Sequence, residues 1–296
     1  MISILIPTYN YVAHPLAESL SRQAKEQNIP CEIIVADDAS TRNECKQENR
    51  LINSLPHCTY IELEKNIGRA SIRNLLADKA QGEWLLFLDC DGMPLDDLFL
   101  KRYQQAIANH TEADIICGGI IHPKELPASN MSLRYTYEKA AEKHHTATKR
   151  NERPYASFRT FNFMIRRKAF LQVKFDETFR HYGYEDVLFG IQLKESGFRI
   201  AHIDNPLENK DIETNEIFLR KTEEALRTLA EHADKLGESV HLHHLYLRLQ
   251  RIGLLPIVRK LFQWFAPTLQ RNLLSNTPNL PSFAFYKLGY YALLRK

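Results

Sequence analysis

Beyond Glu238 the chain contains no aspartate and no glutamate. Its last 58 residues carry eight basic side chains: Arg248, Arg251, Arg259, Lys260, Arg271, Lys287, Arg295 and Lys296. Residues 1–238 therefore hold all 36 acids against 31 bases, a net of −5 beneath the overall +3. An acidic body with a basic tail suits an anionic surface, lipid headgroups or nucleic acid. No run approaches the ~20 apolar residues that span a bilayer, which excludes a transmembrane helix. The start, MISILIPTYN, lacks a basic n-region and reaches Pro7 quickly, so it reads as a strand rather than a signal peptide. The five cysteines (31, 45, 58, 90 and 117) are odd in number and lack C-x-x-C spacing. They point to a reduced, cytosolic compartment and away from a disulfide scaffold or zinc finger. No G-x-G-x-x-G follows the first apolar run, and no G-x-x-x-x-G-K-[ST] occurs. These absences argue against a Rossmann dehydrogenase and against a P-loop enzyme.

What is present is ordinary globular material: 44% apolar and 25% charged residues over a length of 296. This excludes disorder and allows one large domain or two modest ones. Ile2–Ile6, Glu32–Ala36, Thr59–Leu63 and Glu83–Leu88 are short apolar runs that read as buried strands. Apolar spacing predicts helices over Pro15–Asn28, Gly68–Ala80 and Leu95–Asn109. Strands alternating with helices, with the strands apolar throughout, indicate a parallel sheet covered on both faces. Farther on, Asp114–Gly118, Phe158–Ile165 and Phe198–Ile203 read as strands. Arg167–Leu171 reads as a helical turn, and Asp186–Ser196 and Thr214–Leu236 as helices. Residues 122–157 read as a polar loop or lid with one helix near Arg134–His144. Within it, Lys143–Arg150 reads as a solvated, mobile stretch able to close over a ligand. From His241 the chain is helical, basic and hydrophobic, broken at Pro256 and Pro267.

Ligands of open parallel sheets bind at the carboxyl ends of strands. Three polar clusters fall there: Pro7-Thr8-Tyr9-Asn10, Asp37-Asp38 and Asp89-Cys90-Asp91. Side chains two apart on an extended segment point the same way, so Asp89 and Asp91 present paired carboxylates. Paired carboxylates need a counter-ion, and hard oxygens suit Mg²⁺ or Mn²⁺. A solvated turn is the alternative. Asp37-Asp38 reads either as an Asx-turn or helix cap or as an acceptor for a base or ribose.

In order and spacing, ISILIPTYN, EIIVADDAS and NIGRASIRNLLADKAQGEWLLFLDCDGMP resemble the N-terminal half of a family 2 glycosyltransferase with the GT-A fold. The resemblance covers about residues 1–236. It implies an α/β fold, a mostly parallel sheet flanked by helices, with a helical C-terminal extension outside it. It divides the chain into a nucleotide-binding half (1–118), an acceptor-binding half (119–238) and the extension (239–296). It also implies that Pro7, Tyr9 and Asp38 line the base pocket and that Arg73 flanks the nucleotide. Asp89 would face the ribose and Asp91 the metal and diphosphate. Arg73 otherwise reads as a surface arginine.

Tyr182-Gly183-Tyr184-Glu185-Asp186-Val187 resembles the G-x-E-D motif of inverting GT-A enzymes. The resemblance implies that Asp186 is the general base and that Glu185 holds the acceptor or the loop. Tyr182 and Tyr184 would stack on sugars or pack in the core. Asn162 would touch the sugar or satisfy strand-end backbone. The family often has a histidine where this chain has Asn209, so the third metal ligand is open between Asn209 and His202. His241, His243 and His244 form an H-x-H-H cluster that zinc would need further ligands to use.

The implied reaction is inverting transfer from a nucleoside diphosphate sugar, by default a UDP-sugar, to a hydroxyl of a glycan or lipid-linked acceptor in bacterial surface polysaccharide synthesis. Leu254–Phe265 and Phe283–Leu294, with Tyr286, Tyr290 and Tyr291, mix rings, leucines and cations as interfacial helices do. They suggest a cytoplasmic protein held peripherally at the inner membrane face, or else helices packed on the body. A nucleic-acid partner fits only the tail. A nucleotidyltransferase lacks its glycine-rich basic loop here. A non-catalytic binding protein on the same fold is the other rival.

Overall fold

The structure, a computed structural model, describes residues 1–143 and 145–295. His144, at the end of the expected helix, and Lys296 of the basic tail lie outside the described residues. The apolar runs become the centre of the molecule. β1 (Ile2–Thr8), β2 (Cys31–Asp37), β3 (Cys58–Glu62) and β4 (Trp84–Leu88) alternate with α1 (His14–Glu26), α2 (Asn43–Arg50) and α3 (Arg69–Lys79). Then come β5 (Gly92–Pro94), α4 (Phe99–Asn109), β6 (Ile115–Cys117), β7 (Ile120–Ile121), α5 (Ser132–Glu142) and α6 (Ala147–Glu152). β8 (Asn162–Arg166), α7 (Arg167–Val173), α8 (Glu185–Glu195), β9 (Ile200–His202) and β10 (Leu207–Asn209) follow. The chain closes with α9 (Asn215–Glu231), α10 (Ala233–Leu236), α11 (His241–Arg251), α12 (Leu255–Leu273) and α13 (Leu280–Leu294).

The main sheet has the order β3-β2-β1-β4-β8-β6-β9. Only β8 runs against its neighbours β4 and β6. A small sheet, β5-β10-β7, stands apart. β1 stays paired with β2 to Thr8↔Asp37 but with β4 only to Leu5↔Phe87. Pro7, which has no N–H to give, sits beyond that last β1–β4 pair. One apolar layer packs α1 and α4 on the sheet. The other packs α3, α7 and α8 on its opposite face, with Phe163 and Phe170 stacked on Phe87.

Several expectations need correction. The stretch Lys143–Arg150 is not a loop throughout: α6 begins at Ala147, with Thr146 accepting from Lys149 N–H, while Lys143, His145, Thr146, Thr148 and Lys149 are exposed as expected. Arg150 turns inward, donating to Cys117 O, Gly118 O and Ile203 O. Those carbonyls lie at the ends of β6 and β9; Cys117 O and Gly118 O also accept from Ile203 N–H and Asn205 N–H, and a guanidinium carries enough donors to serve the second lone pair of each as well as Ile203 O. The expected strand at Phe158 starts only at Asn162. Pro256 opens α12 instead of breaking a helix, as proline at the first turn does. Pro267 sits inside α12 without ending it, on the exposed side, where a carbonyl can tilt to water.

The last three helices pack on the body. α13 lies along α9, burying Phe283, Tyr286 and Tyr291. Gly289 lets α12 approach so closely that an added Cβ would sit 2.3 Å from the Phe262 ring. Tyr286 donates to Glu223, and Tyr291 is bonded to His243. These rings, expected as membrane anchors, are spent inside the fold. His243 points inward while His241 and His244 are exposed, so the H-x-H-H run does not converge. Among the described residues no helix is long and apolar enough to cross a membrane.

Candidate active site

The carboxyl ends of β1, β2 and β4 open into a cleft of about 750 Å³. Pro7 and Tyr9, Asp38, Arg73, and Asp89 with Asp91 line it from the sheet side. Tyr182, Tyr184, Glu185 and Asp186 enter from the segment that opens α8. Of the nucleotide, sugar, metal and catalytic residues the sequence nominates, Asn162, His202 and Asn209 do not line this cleft.

Asp37 and Asp38 divide the two roles their pair suggested. Asp37 is fully buried, accepting from Ser40 N–H and Tyr60 O–H, which is a turn. Asp38 accepts from Ile67 N–H at 2.7 Å and Gly68 N–H at 3.0 Å, closing the start of α3. Burial raises its pKa, and those two N–H groups pull it back. Two bonds leave lone pairs of a four-site carboxylate facing the cleft.

Arg73 is not a surface arginine. It is 1% exposed and joins the two acidic motifs. Its Nη2 donates to Asp89 Oδ1 at 2.8 Å, and its Nη1 lies 3.6 Å from Glu185 Oε1. Arg69, one helical turn earlier on the same face of α3, repeats the pattern at 3.4 Å and 3.3 Å. Two guanidiniums and two carboxylates thus form one network across the cleft. Phe175 backs Arg73, its ring 5.6 Å away.

Asp91 carries the other end of the paired carboxylates. Burial, then the Asp89 charge, pushes its carboxyl up to about 6, against the pull of Arg134 and Arg69. Among the described residues no side chain donates a hydrogen bond to it.

Two successive positive-φ residues, Gly183 (+103°) and Tyr184 (+68°), bend the chain into α8. A Cβ on Gly183 would meet Ala225 Cβ at 2.7 Å, so only glycine fits. The bend delivers Glu185 to the arginines and Asp186 to the cleft wall at a helix N-terminus, which favours negative charge. Burial and then the Glu185 charge still raise the Asp186 pKa, partly offset by Arg159. Arg69 and Lys221 both lie over the Tyr182 ring, at 5.2 Å and 5.4 Å.

Asn162 is structural. Its amide oxygen accepts from Tyr103 O–H, and its NH₂ donates to Gly119 O and Asn205 O. Both N–H donors are thus used inside the fold, and the side chain does not line the cleft. His202 is no metal ligand either: it is buried between Arg150 and Pro154 O, and burial lowers its pKa to about 4. Asn209 is wholly buried, its oxygen accepting from Asp211 N–H. The side chain that reaches the cleft is Asp211, two residues on. Among the described residues no three His, Cys, Asp or Glu gather closely enough to cage a metal.

Sequence reasoning missed Arg69, Arg134, Arg159 and Asp211. Arg69 had a signal, its i−4 relation to Arg73. The far wall, with Arg134 and Tyr137 from α5, Lys221 from α9, and Phe283 and Lys287 from α13, had none, because helix packing assembles it.

The sequence model described as glycosyl transferase family 2 matches residues 3–173, more than half of the chain. The chain belongs to glycosyl transferase family 2. It is similar to an uncharacterized glycosyltransferase of Haemophilus influenzae, 32% identical over 137 residues, covering 46% of this chain and 42% of the relative. It is 28% identical over 236 residues to chondroitin synthase of Escherichia coli, covering 70% of this chain and 34% of that one. The matches thus span less than half the length of these curated relatives. Among solved structures, Staphylococcus aureus TarS 1–349 superposes with a TM-score of 0.53 at 19% identity, covering 99% of this chain and 90% of that one. The mannosyltransferase PcManGT of Pyrobaculum calidifontis, in complex with GDP-Man and Mn²⁺, gives 0.59 at 16% identity, covering 99% and 85%. At these identities the likeness is one of fold: a mostly parallel sheet flanked by helices.

Proposed function

We propose that the chain transfers a sugar, with inversion, from a nucleoside diphosphate sugar to a hydroxyl of a glycan or lipid-linked acceptor. The observation that carries the reading is the Arg69–Arg73 network, which joins Asp89 and Glu185 so that both acidic motifs face one cleft. Solved TarS complexes hold UDP-GlcNAc and UDP, and PcManGT holds GDP-Man, which supports a nucleotide-sugar donor. Relatives named for teichuronic acid and colanic acid biosynthesis support a role in bacterial surface polysaccharide.

In this reading Pro7, Tyr9 and Asp38 take the base, and Asp89, held by Arg73, faces the ribose. Asp91 is a half-buried carboxylate beside another, with no side-chain donor, which fits a hard cation such as Mn²⁺ or Mg²⁺. Asp91 would hold the ion with the donor's phosphates, and Asp211 is the added candidate in place of Asn209 and His202. A divalent cation there supplies positive charge to a leaving diphosphate. Asp186, its pKa raised by burial and by the Glu185 charge, accepts the proton of the attacking acceptor hydroxyl. The hydroxyl oxygen bonds to the anomeric carbon as the bond to the diphosphate breaks. Tyr182 and Tyr184 form the sugar-side wall.

Calorimetric titration with UDP and GDP, each with and without Mn²⁺, tests the donor site. Metal-dependent binding of one nucleotide, lost in Asp91→Ala, supports it. No metal-dependent nucleotide binding in the folded protein overturns it.

A further inference from the structure

We propose that the outer face of α12 is a membrane-contact surface that seats the protein on an anionic bilayer. The buried face of α12 is occupied by Leu255, Phe262 and Leu273. A second apolar stripe, Ile257, Leu261, Trp264 and Phe265, recurs at spacings of three and four on another face and stands in solvent. Trp264 is 65% exposed, an unusual state for the largest apolar side chain. Ile252 and Leu254, just before the helix, extend the patch. An apolar face already satisfied on one side does not need a second stripe to fold.

Charge names the occupant. Residues 239–296 contain no acid to repel an anionic surface. Of their cations, Arg259 and Arg295 are taken by backbone carbonyls, and Lys287 faces the cleft. Arg248, Lys260 and Arg271 remain exposed, with Arg251 shared with Glu238. Lys260 lies over the Trp264 ring at 5.0 Å, its ammonium beside the ring. Apolar side chains and an aromatic ring flanked by cations match a headgroup boundary, where rings enter the acyl edge and ammoniums meet phosphates. The structure narrows the contact to this face, because the rings of α13 are packed inside. The proposal holds or fails independently of the donor reading.

The protein supplies its own reporter. Its two tryptophans are Trp264 and Trp84, and Trp84 is buried in the sheet core at 4% exposure. The test mixes the full chain with vesicles of equal parts phosphatidylglycerol and phosphatidylcholine, and with vesicles of phosphatidylcholine alone. Expected are co-sedimentation with the anionic vesicles, a shift of tryptophan emission to shorter wavelength, and weakening by salt. A folded Trp264→Ala/Phe265→Ala variant should sediment at least about tenfold less, since two buried rings are withdrawn. Trp264→Phe should keep the sedimentation and lose the spectral shift. No sedimentation with anionic vesicles overturns the proposal. So does undiminished binding by the double alanine variant. Self-association lost in that variant, with no vesicle binding, would make the face an interface between copies and likewise overturn it.

Discussion

Arg73 and Asp89 meet at 2.8 Å in the floor of the cleft, the guanidinium 1% exposed. The same guanidinium faces Glu185, 112 positions along the chain from it. A carboxylate from the end of β4 and another from the start of α8 are therefore fixed against one cation. Arg73→Met leaves both beside Arg69 alone. It should destabilise the fold by about 3 kcal/mol, the range for a broken buried pair. Arg73→Lys, which keeps the charge but not the fork, should cost less. Urea denaturation of the two variants separates these outcomes.

On the proposed mechanism, Asp186→Asn removes the base and leaves nucleotide binding intact, with transfer falling roughly 10²- to 10⁴-fold. The sign of its pKa shift gives two further expectations. A raised pKa means the acid limb of kcat/KM lies above the ordinary carboxylate range, with activity rising as pH climbs through it. The native state also holds this proton more tightly than the unfolded chain does. Stability contributed by the protonated form is thus lost as pH rises through the native pKa. The asparagine variant should unfold at a slightly higher temperature near neutral pH while failing to turn over.

Asn162→Ala strips partners from Tyr103 O–H, Gly119 O and Asn205 O together. Gly119 O keeps Leu207 N–H, so a loss of about 3 kcal/mol is expected from the other two groups. Tyr103→Phe should cost less, and the double variant less than the sum, because the two share one bond. Donor KM should stay at the wild-type value in every variant that folds. A raised KM with unchanged stability would instead return Asn162 to the sugar site.

His202 is neutral in the fold, with Nδ1 facing Arg150 and Nε2 facing Pro154 O. Its pKa falls to about 4 from the usual 6.5. The stability it contributes is complete above about 6.5 and drains away as pH drops toward 4. The loss is on the order of 3 kcal/mol. Thermal melts at stepped pH should show this slope, and His202→Gln should flatten it.

The sheet was legible because its strands announce themselves: ISILIPT and WLLFL have almost no polar side to present. The acidic pairs were legible because each is local, two or three residues at a strand or helix end. Arg150 was not. A cation in a polar stretch reads as solvated unless the carbonyls awaiting it are known, and those lie at strand ends 32 to 53 positions away. Asn209 and Asp211 failed for a related reason. Two polar residues two positions apart, at and just past the end of β10, offer the same chemistry, and only the pairing of Asn209 with β5 decides which of them is buried. Pro267 shows the limit of breaker rules, which assume a helix with nowhere to bend.

α13 reaches the cleft through Phe283 and Lys287 on one side and receives Phe262 of α12 against Gly289 on another. Those residues lie outside the segment that carries the family match. The cleft is thus a shared enclosure, its floor inside the family segment and part of its wall outside it. Substitution of Phe283 or Lys287 would reshape that wall without touching the acidic motifs.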